Sequence, residues 1–221
     1  MHYDEKNKAK ILIVDDHPIV RQGAALLLNR EPELQVCHEA ENAEQAIEIN
    51  HTCAHDLAIV DLSLAGISGL ELVKKLRGLF PNLAILMMSM HDETIYAERL
   101  LRAGARGYLM KQEATDTMLK AVRAILQGEL YVSPRMHAHM LQQKVNGNNN
   151  TTPLSHLTAG EFEVLHLIGM GHSAGDVATK LGRSIKTIDS HRANIRKKLN
   201  FKTSNELTHF AIKWVNGTSA A

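Results

Sequence analysis

Through the first 127 residues, short runs of consecutive apolar side chains alternate with stretches in which apolar positions recur every three or four residues. The runs Ile11-Leu12-Ile13-Val14, residues 34–40, Leu57-Ala58-Ile59-Val60, residues 83–88 and residues 107–110 read as five strands. Between them the spacing predicts a helix through Ile19, Leu26, Leu27 and Leu28, and further helices over 42–51, 68–78, 93–103 and 114–127. Strands without polar alternation, each followed by a helix, imply a parallel sheet covered on both faces. Such sheets carry their functional groups at the carboxyl ends of the strands.

Residues 128–153 break the rhythm. A polar helix fits 133–145, but the run from Asn146 to Pro153 lacks the apolar surface needed to fold and reads as a linker. From Leu157 onward the pattern is purely helical. Thr158, Ser173 and Thr203 each stand three residues before a carboxylate (Glu161, Asp176 and Glu206), the spacing of a capping box, and Ser184 supplies a fourth cap. These starts predict helices near 159–169, 174–181, 185–199 and 204–215, with Gly169, Gly171 and Gly182 where helices stop. Four short helices in about 60 residues suit a groove-binding module.

Charge adds a direction to this division. Residues 1–130 carry 19 acids and 14 bases, whereas 151–221 carry 5 acids and 9 bases, so a basic second half follows an acidic first. That asymmetry points to a polyanionic partner for the second domain. The two cysteines, Cys37 and Cys53, have no CxxC spacing, which argues for a reducing compartment and against a zinc site or disulfide scaffold. The 13 histidines show no ligand spacing tied to a cysteine or carboxylate cluster. A charged start and the lack of any apolar run near ~20 residues lead to the expectation of a soluble cytoplasmic protein without a membrane partner.

Asp15 and Asp16 follow the first strand, Asp61 the third, Ser89 the fourth and Lys111 the fifth. Three carboxylates at one sheet edge repel one another unless a cation or proton neutralises them, and a hard divalent ion such as Mg²⁺ meets that need. A hydroxyl and an ammonium at the same edge suit phosphoryl oxygens. The segments ILIVDDHPIVRQGAALLL, IVDLSLAGISGLELV, ILMMSMHD and GARGYLMK resemble the receiver domain of bacterial response regulators, over residues 10–127. The resemblance implies a flavodoxin-like (βα)5 domain in which Asp61 accepts a phosphoryl group from a phosphohistidine of a sensor histidine kinase. It implies that Asp16, Asp61 and the backbone carbonyl of Ser63 ligate Mg²⁺, with Asp15 acting through water. Ser89 and Lys111 would follow the phosphoryl group, and Tyr108 matches the family's switch aromatic. Ser63 and His91 stand where the family tunes phosphate lifetime, and Ala65 departs from the usual proline.

The segment LTAGEFEVLHLIGMGHSAGDVATKLGRSIKTIDSHRANIRKKLNFKTSNEL resembles the tetrahelical helix-turn-helix of the NarL/FixJ (LuxR-type) regulators, here over 154–217. Gly160 departs from the family's basic side chain. At 100° per residue, Ile188, Ile195 and Leu199 share one inward face of the third helix. The opposite face carries Lys186, Ser190, Ala193 and Lys197, flanked by Asp189, Thr187 and Asn194, with Arg192 and Arg196 at the boundary. Lysines suit phosphates, while Asp189, Ala193 and Asn194 suit base edges in a major groove of double-stranded DNA.

Competing classes fit less well. Haloacid-type phosphatases place two aspartates two positions apart, but Asp61 is followed by Leu62 and Ser63. A small-molecule sensor would not need the acidic edge, and an RNA-binding output is disfavoured by the helix-turn-helix. The chain is therefore expected to be a regulator rather than an enzyme. Phosphorylation is expected to favour a homodimer on an inverted repeat, the alternative being DNA binding controlled without phosphorylation.

Overall fold

The computed structural model describes residues 8–64, 67, 69–90, 93–113, 115–145 and 153–215. It divides into two compact units, residues 1–149 and 150–221. The first alternates β1 (Ala9–Val14), α1 (Pro18–Leu28), β2 (Leu34–Ala40), α2 (Ala43–Thr52), β3 (Leu57–Asp61), α3 (Gly69–Leu79), β4 (Ala84–Ser89), α4 (Glu93–Ala103), β5 (Gly107–Met110) and α5 (Thr115–Leu126). All strand pairs are parallel, in the order β2-β1-β3-β4-β5. This is the doubly wound α/β sheet that the apolar runs predict.

The core follows the two-residue period of the strands. Ile11, Ile13, Leu57, Ile59, Leu86, Met88 and Leu109 pack with Ala24 and Leu28 of α1 and with Ala121, Val122 and Ile125 of α5. The intervening Leu12, Val14, Ala58 and Val60 are equally buried and point to the other face, so β1 and β3 are apolar on both faces there, whereas the edge strand β2 exposes Gln35 and Glu39. The first helix forms as its spacing predicts, but one of its apolar faces is turned outward. Ile19 is 83% and Leu26 68% exposed on α1, while Ala24 and Leu28 are buried. Burial here selects positions three and four apart, and the two large side chains lie seven apart on the outward side.

Residues 128–145, read as part of a linker, begin with structure tied to the first unit. The Tyr131 amide donates to the Arg106 carbonyl at 2.9 Å, and the Tyr108 amide donates to the Tyr131 carbonyl at 3.0 Å. Gly107 permits this passage, since a Cβ there would stand 2.8 Å from the Tyr131 carbonyl. A sixth helix, α6 (Pro134–Val145), follows, with Met136 buried and Ser133 bonded through its hydroxyl to the buried Glu93. Polar burial also occurs beside α2, where burial first and then the neighbouring His38 lower the pKa of His55 to about 4.

The second unit opens with a 3-10 turn (Pro153–His156) and holds α7 (Ala159–Gly169), α8 (Ala174–Lys180), α9 (Ile185–Lys198) and α10 (Ser204–Val215). Thr158 with Glu161 and Ser173 with Asp176 form complete capping boxes, and the Ser184 hydroxyl accepts the Thr187 amide. The last start is shifted: Thr203 accepts the Glu206 amide, but the Glu206 carboxylate accepts from the Lys202 amide instead. Gly171 and Gly182 have φ of 86° and 59°, the left-handed region that ends a helix. Gly169 serves packing, because a Cβ there would overlap the Val215 side chain and come 2.5 Å from the Ala211 carbonyl.

Candidate functional site

The first candidate site lies at the carboxyl edge of the sheet. β1 ends at Val14, β3 at Asp61 and β4 at Ser89, so the parallel topology delivers Asp15, Asp16, Asp61 and Ser89 to one side. Asp15, Asp61 and Ser89 are all buried, at 1% exposure or less. Lys111, just past β5, bridges two of the acids: its Nζ stands 2.6 Å from Asp15 Oδ2 and 3.0 Å from Asp61 Oδ2. The Lys111 amide also donates to the Ser89 carbonyl at 2.7 Å, joining the lysine loop to the hydroxyl-bearing strand end. Tyr108 is 1% exposed, opposite Met87 in the β4–β5 pair, and Ser63 is exposed on the loop after Asp61. His91 and Ala65 lie outside the described residues.

Charge within this pocket is unbalanced. Burial pushes the Asp61 carboxyl above its ordinary range, Lys111 draws it back, and Asp15 pushes it up again. For Lys111, burial favours loss of the proton, but Asp15 and Asp61 outweigh it and hold the ammonium above its usual value. Against the buried Asp61 carboxylate stand the Lys111 ammonium and the Ser63 amide. Asp15, Asp16, His17 and Asp61 each bring one ligand atom within 4.8 Å of the others. Hard oxygen donors with excess negative charge fit a divalent cation of the Mg²⁺ type.

Two residues that position this edge escaped the reading of the chain. His17 approaches Asp16 at 2.7 Å and Asp15 at 3.2 Å through Nδ1, and its amide donates to Asp15 Oδ1 at 2.9 Å. Gly69, the first residue of α3, lies against the acceptor loop, where a Cβ would meet the Asp61 carbonyl and the Leu62 Cα at 2.7 Å. The signal for His17 was its place two residues after Asp15. Gly69 gave no local signal, because its constraint is a tertiary backbone approach.

The second candidate site is the outward face of α9. Ile188 and Ile195 are fully buried and Leu199 half-buried, which fixes the rotation of the helix. Lys186, Asp189, Ser190, Ala193, Asn194 and Lys197 are exposed, while Thr187, Arg192 and Arg196 are half-buried at the boundary. Thr187 shares a 2.9 Å hydroxyl contact with Ser184, and the Ser190 hydroxyl donates to the Lys186 carbonyl at 2.9 Å. Lys198 has a different use: its Nζ donates to Glu161 Oε2 at 2.7 Å, tying α9 to α7. Burial raises the Glu161 pKa, but Lys198 and the Thr158 cap lower it further, leaving it below its ordinary value. A side chain on Gly160 would stand 3.4 Å from the His191 ring.

Each unit is similar to a known family. The model of the response regulator receiver domain matches residues 11–123, and that of the bacterial regulatory proteins of the luxR family matches 155–211. The oxygen regulatory protein NreC of Staphylococcus carnosus is 34% identical over 210 residues, covering 92% of this chain and 97% of that one. RcsB of Salmonella enterica serovar Typhimurium, solved on the promoter rprA with the phosphomimetic BeF3⁻, aligns with a TM-score of 0.64 at 28% identity. That alignment covers 93% of this chain and 99% of RcsB. A LuxR-family response regulator from an Aurantimonas species aligns at 0.59 and 33% identity, covering 62% of this chain and 99% of its own. Receiver domains generally bind Mg²⁺ at an acidic pocket of this kind.

Proposed function

Since the chain belongs to the NarL/FixJ (LuxR-type) family of two-component response regulators and acts as a DNA-binding transcription regulator, we propose that phosphorylation of Asp61 controls DNA reading by α9. The carrying observation is the buried Asp15–Lys111–Asp61 bridge at the carboxyl edge of the sheet. A sensor histidine kinase is the donor. An Asp61 carboxylate oxygen attacks phosphorus as the phosphorus–nitrogen bond to the kinase histidine breaks, a transfer that depends on positioning and charge neutralisation. Asp16, Asp61 and the Ser63 carbonyl would hold Mg²⁺, with Asp15 acting through water, and bound Mg²⁺ supplies neutralising charge to the phosphoryl oxygens. Lys111 and Ser89 then bind those oxygens, and Tyr108 responds to the movement of Ser89. We take the receiver as 10–127, the connection as 128–153 and the DNA-binding domain as 154–217. Tyr131 supports coupling, since its backbone pairs with the strand that carries Tyr108.

On α9, Lys186 and Lys197 contact phosphates, with Arg192 and Arg196 at the groove wall, while Asp189, Ala193 and Asn194 meet base edges, with Thr187 and Ser190 beside them. Solved RcsB dimers bound to DNA support a homodimer, and two-fold symmetry suits an inverted repeat, with phosphorylation favouring that dimer. No described helix is long and apolar enough to cross a membrane. Intact mass after incubation with acetyl phosphate and Mg²⁺ tests the acceptor. Wild type gains one phosphoryl group and Asp61→Asn gains none; equal labelling of both refutes the assignment.

A further inference from the structure

A second cluster of ligating side chains lies away from the acidic pocket. Cys53 caps the C-terminus of α2 in extended backbone, at φ −139° and ψ 120°. Extended backbone sends residues two apart to the same side, so His55 follows Cys53 on that side. From across the sheet, His38 of β2 meets them, its Nδ1 2.9 Å from His55 Nε2. The Cys53 thiol and one ring nitrogen from each histidine lie within 4.8 Å of one another. His55 and Asn50 are buried, and His38 and Cys53 are half-buried, so solvent reaches one side of the cluster.

The surrounding hydrogen bond selects the tautomer. His55 Nδ1 lies 2.6 Å from Asn50 Oδ1, and that oxygen can only accept. The proton is therefore on Nδ1, and the Nε2 lone pair points into the cluster. A buried side-chain oxygen fixing the far nitrogen of an imidazole is the usual support for a metal-ligating histidine. We propose that His38, Cys53 and His55 form a binding site for a borderline transition-metal ion of the Zn²⁺ type, with three protein ligands and an open fourth position. One thiolate and two imidazoles match the preference of such an ion, whereas the carboxylates at Asp61 match Mg²⁺. Asp61 lies six residues beyond His55 along β3, roughly 20 Å at ~3.3 Å per residue, so one ion cannot serve both.

Binding needs only small movements. Metal–nitrogen bonds near 2.0–2.1 Å and a metal–sulfur bond near 2.3 Å put tetrahedral ligand atoms roughly 3.3–3.7 Å apart. The two ring nitrogens separate by a few tenths of an ångström, and the thiol, within 4.8 Å of both, closes by about one ångström at most. The Cys53 proton leaves to solvent as the sulfur–metal bond forms, and the proton that His38 Nδ1 shares with His55 passes through solvent to the other ring nitrogen. One proton is released per ion, with no change of oxidation state.

Titration of the full chain with Co²⁺, with Mg²⁺ in excess, tests the site, followed by Zn²⁺ in competition with a chromophoric chelator. The expected result is one saturable equivalent with thiolate-to-cobalt absorption in the near ultraviolet. His38→Gln and Cys53→Ser, both half-buried positions, should keep the wild-type circular dichroism and lose at least tenfold in Zn²⁺ affinity. Asp61→Asn and Cys37→Ser should keep the equivalent. Absence of saturable binding to wild type, wild-type affinity in both His38→Gln and Cys53→Ser, or loss of the equivalent in Asp61→Asn would overturn the proposal.

Discussion

In the first unit, Asp15, Asp61 and Lys111 come from three different strand ends and are held almost out of water. In the second, Lys186, Asp189, Ser190, Ala193 and Lys197 come from three turns of one helix and stand in solvent. Buried charges constrain one another: Lys111 lowers and Asp15 raises the proton affinity of Asp61, and both acids raise that of Lys111, so each has a separable chemical role. Exposed groups on α9 are independent of one another until a polyanion arrives. The pocket is therefore specific residue by residue, and the helix face is specific only as a surface.

That contrast can be broken most severely inside the helical unit, at the ion pair between the buried Glu161 and the solvent-exposed Lys198. Glu161→Ala should remove about 2–3 kcal/mol from the stability of the second unit, by leaving Lys198 and the Thr158 amide without their acceptor. Urea unfolding followed by Trp214 fluorescence measures it. Glu161 has a folded pKa below its ordinary 4.5, so its contribution is present above that value and is lost as the pH falls through the folded pKa. Stability measured from pH 6 downward should fall more steeply in wild type than in Glu161→Ala.

Gly69→Ala should cost about 1–3 kcal/mol in the first unit, because the new Cβ meets the Asp61 and Leu62 backbone. It should also slow phosphoryl incorporation from acetyl phosphate, with the second unit's thermal transition unchanged. Smallest in stability are Lys186→Ala and Lys197→Ala, each expected within about 0.5 kcal/mol of wild type. Their effect should appear on DNA, where each lost phosphate contact lowers the slope of log affinity against log salt by about 0.9. Unchanged affinity and slope in both would remove them from the DNA-facing surface.

What was legible in the chain was what is local. Strands apolar on both faces, caps three residues from their carboxylates, and the rotation of α9 set by Ile188 and Ile195 all follow from short-range periodicity. Convergence of the acidic edge was legible as well, since parallel topology sends every strand's carboxyl end to one side. The outward placement of Ile19 and Leu26 was not, because two faces of α1 carry apolar residues and only tertiary packing selects one. Gly69 gave no signal and Gly169 only that of a helix stop, as each answers to backbone or side chains distant in sequence. The meeting of His38 with Cys53 and His55 depends on the register of β2, which shifts between Ile11 and Leu12. Spacing along the chain therefore spoke against a zinc site that the fold brings together.

The most direct measurement of the link between Asp61 and α9 is selection of sheared genomic DNA by the purified chain, with and without acetyl phosphate and Mg²⁺. Wild type should enrich a common inverted repeat far more strongly when phosphorylated, and Asp61→Asn should show no response to acetyl phosphate. Equal enrichment of the same sequences by wild type in both conditions and by Asp61→Asn would contradict phosphorylation control and assign DNA binding to a phosphorylation-independent regulator.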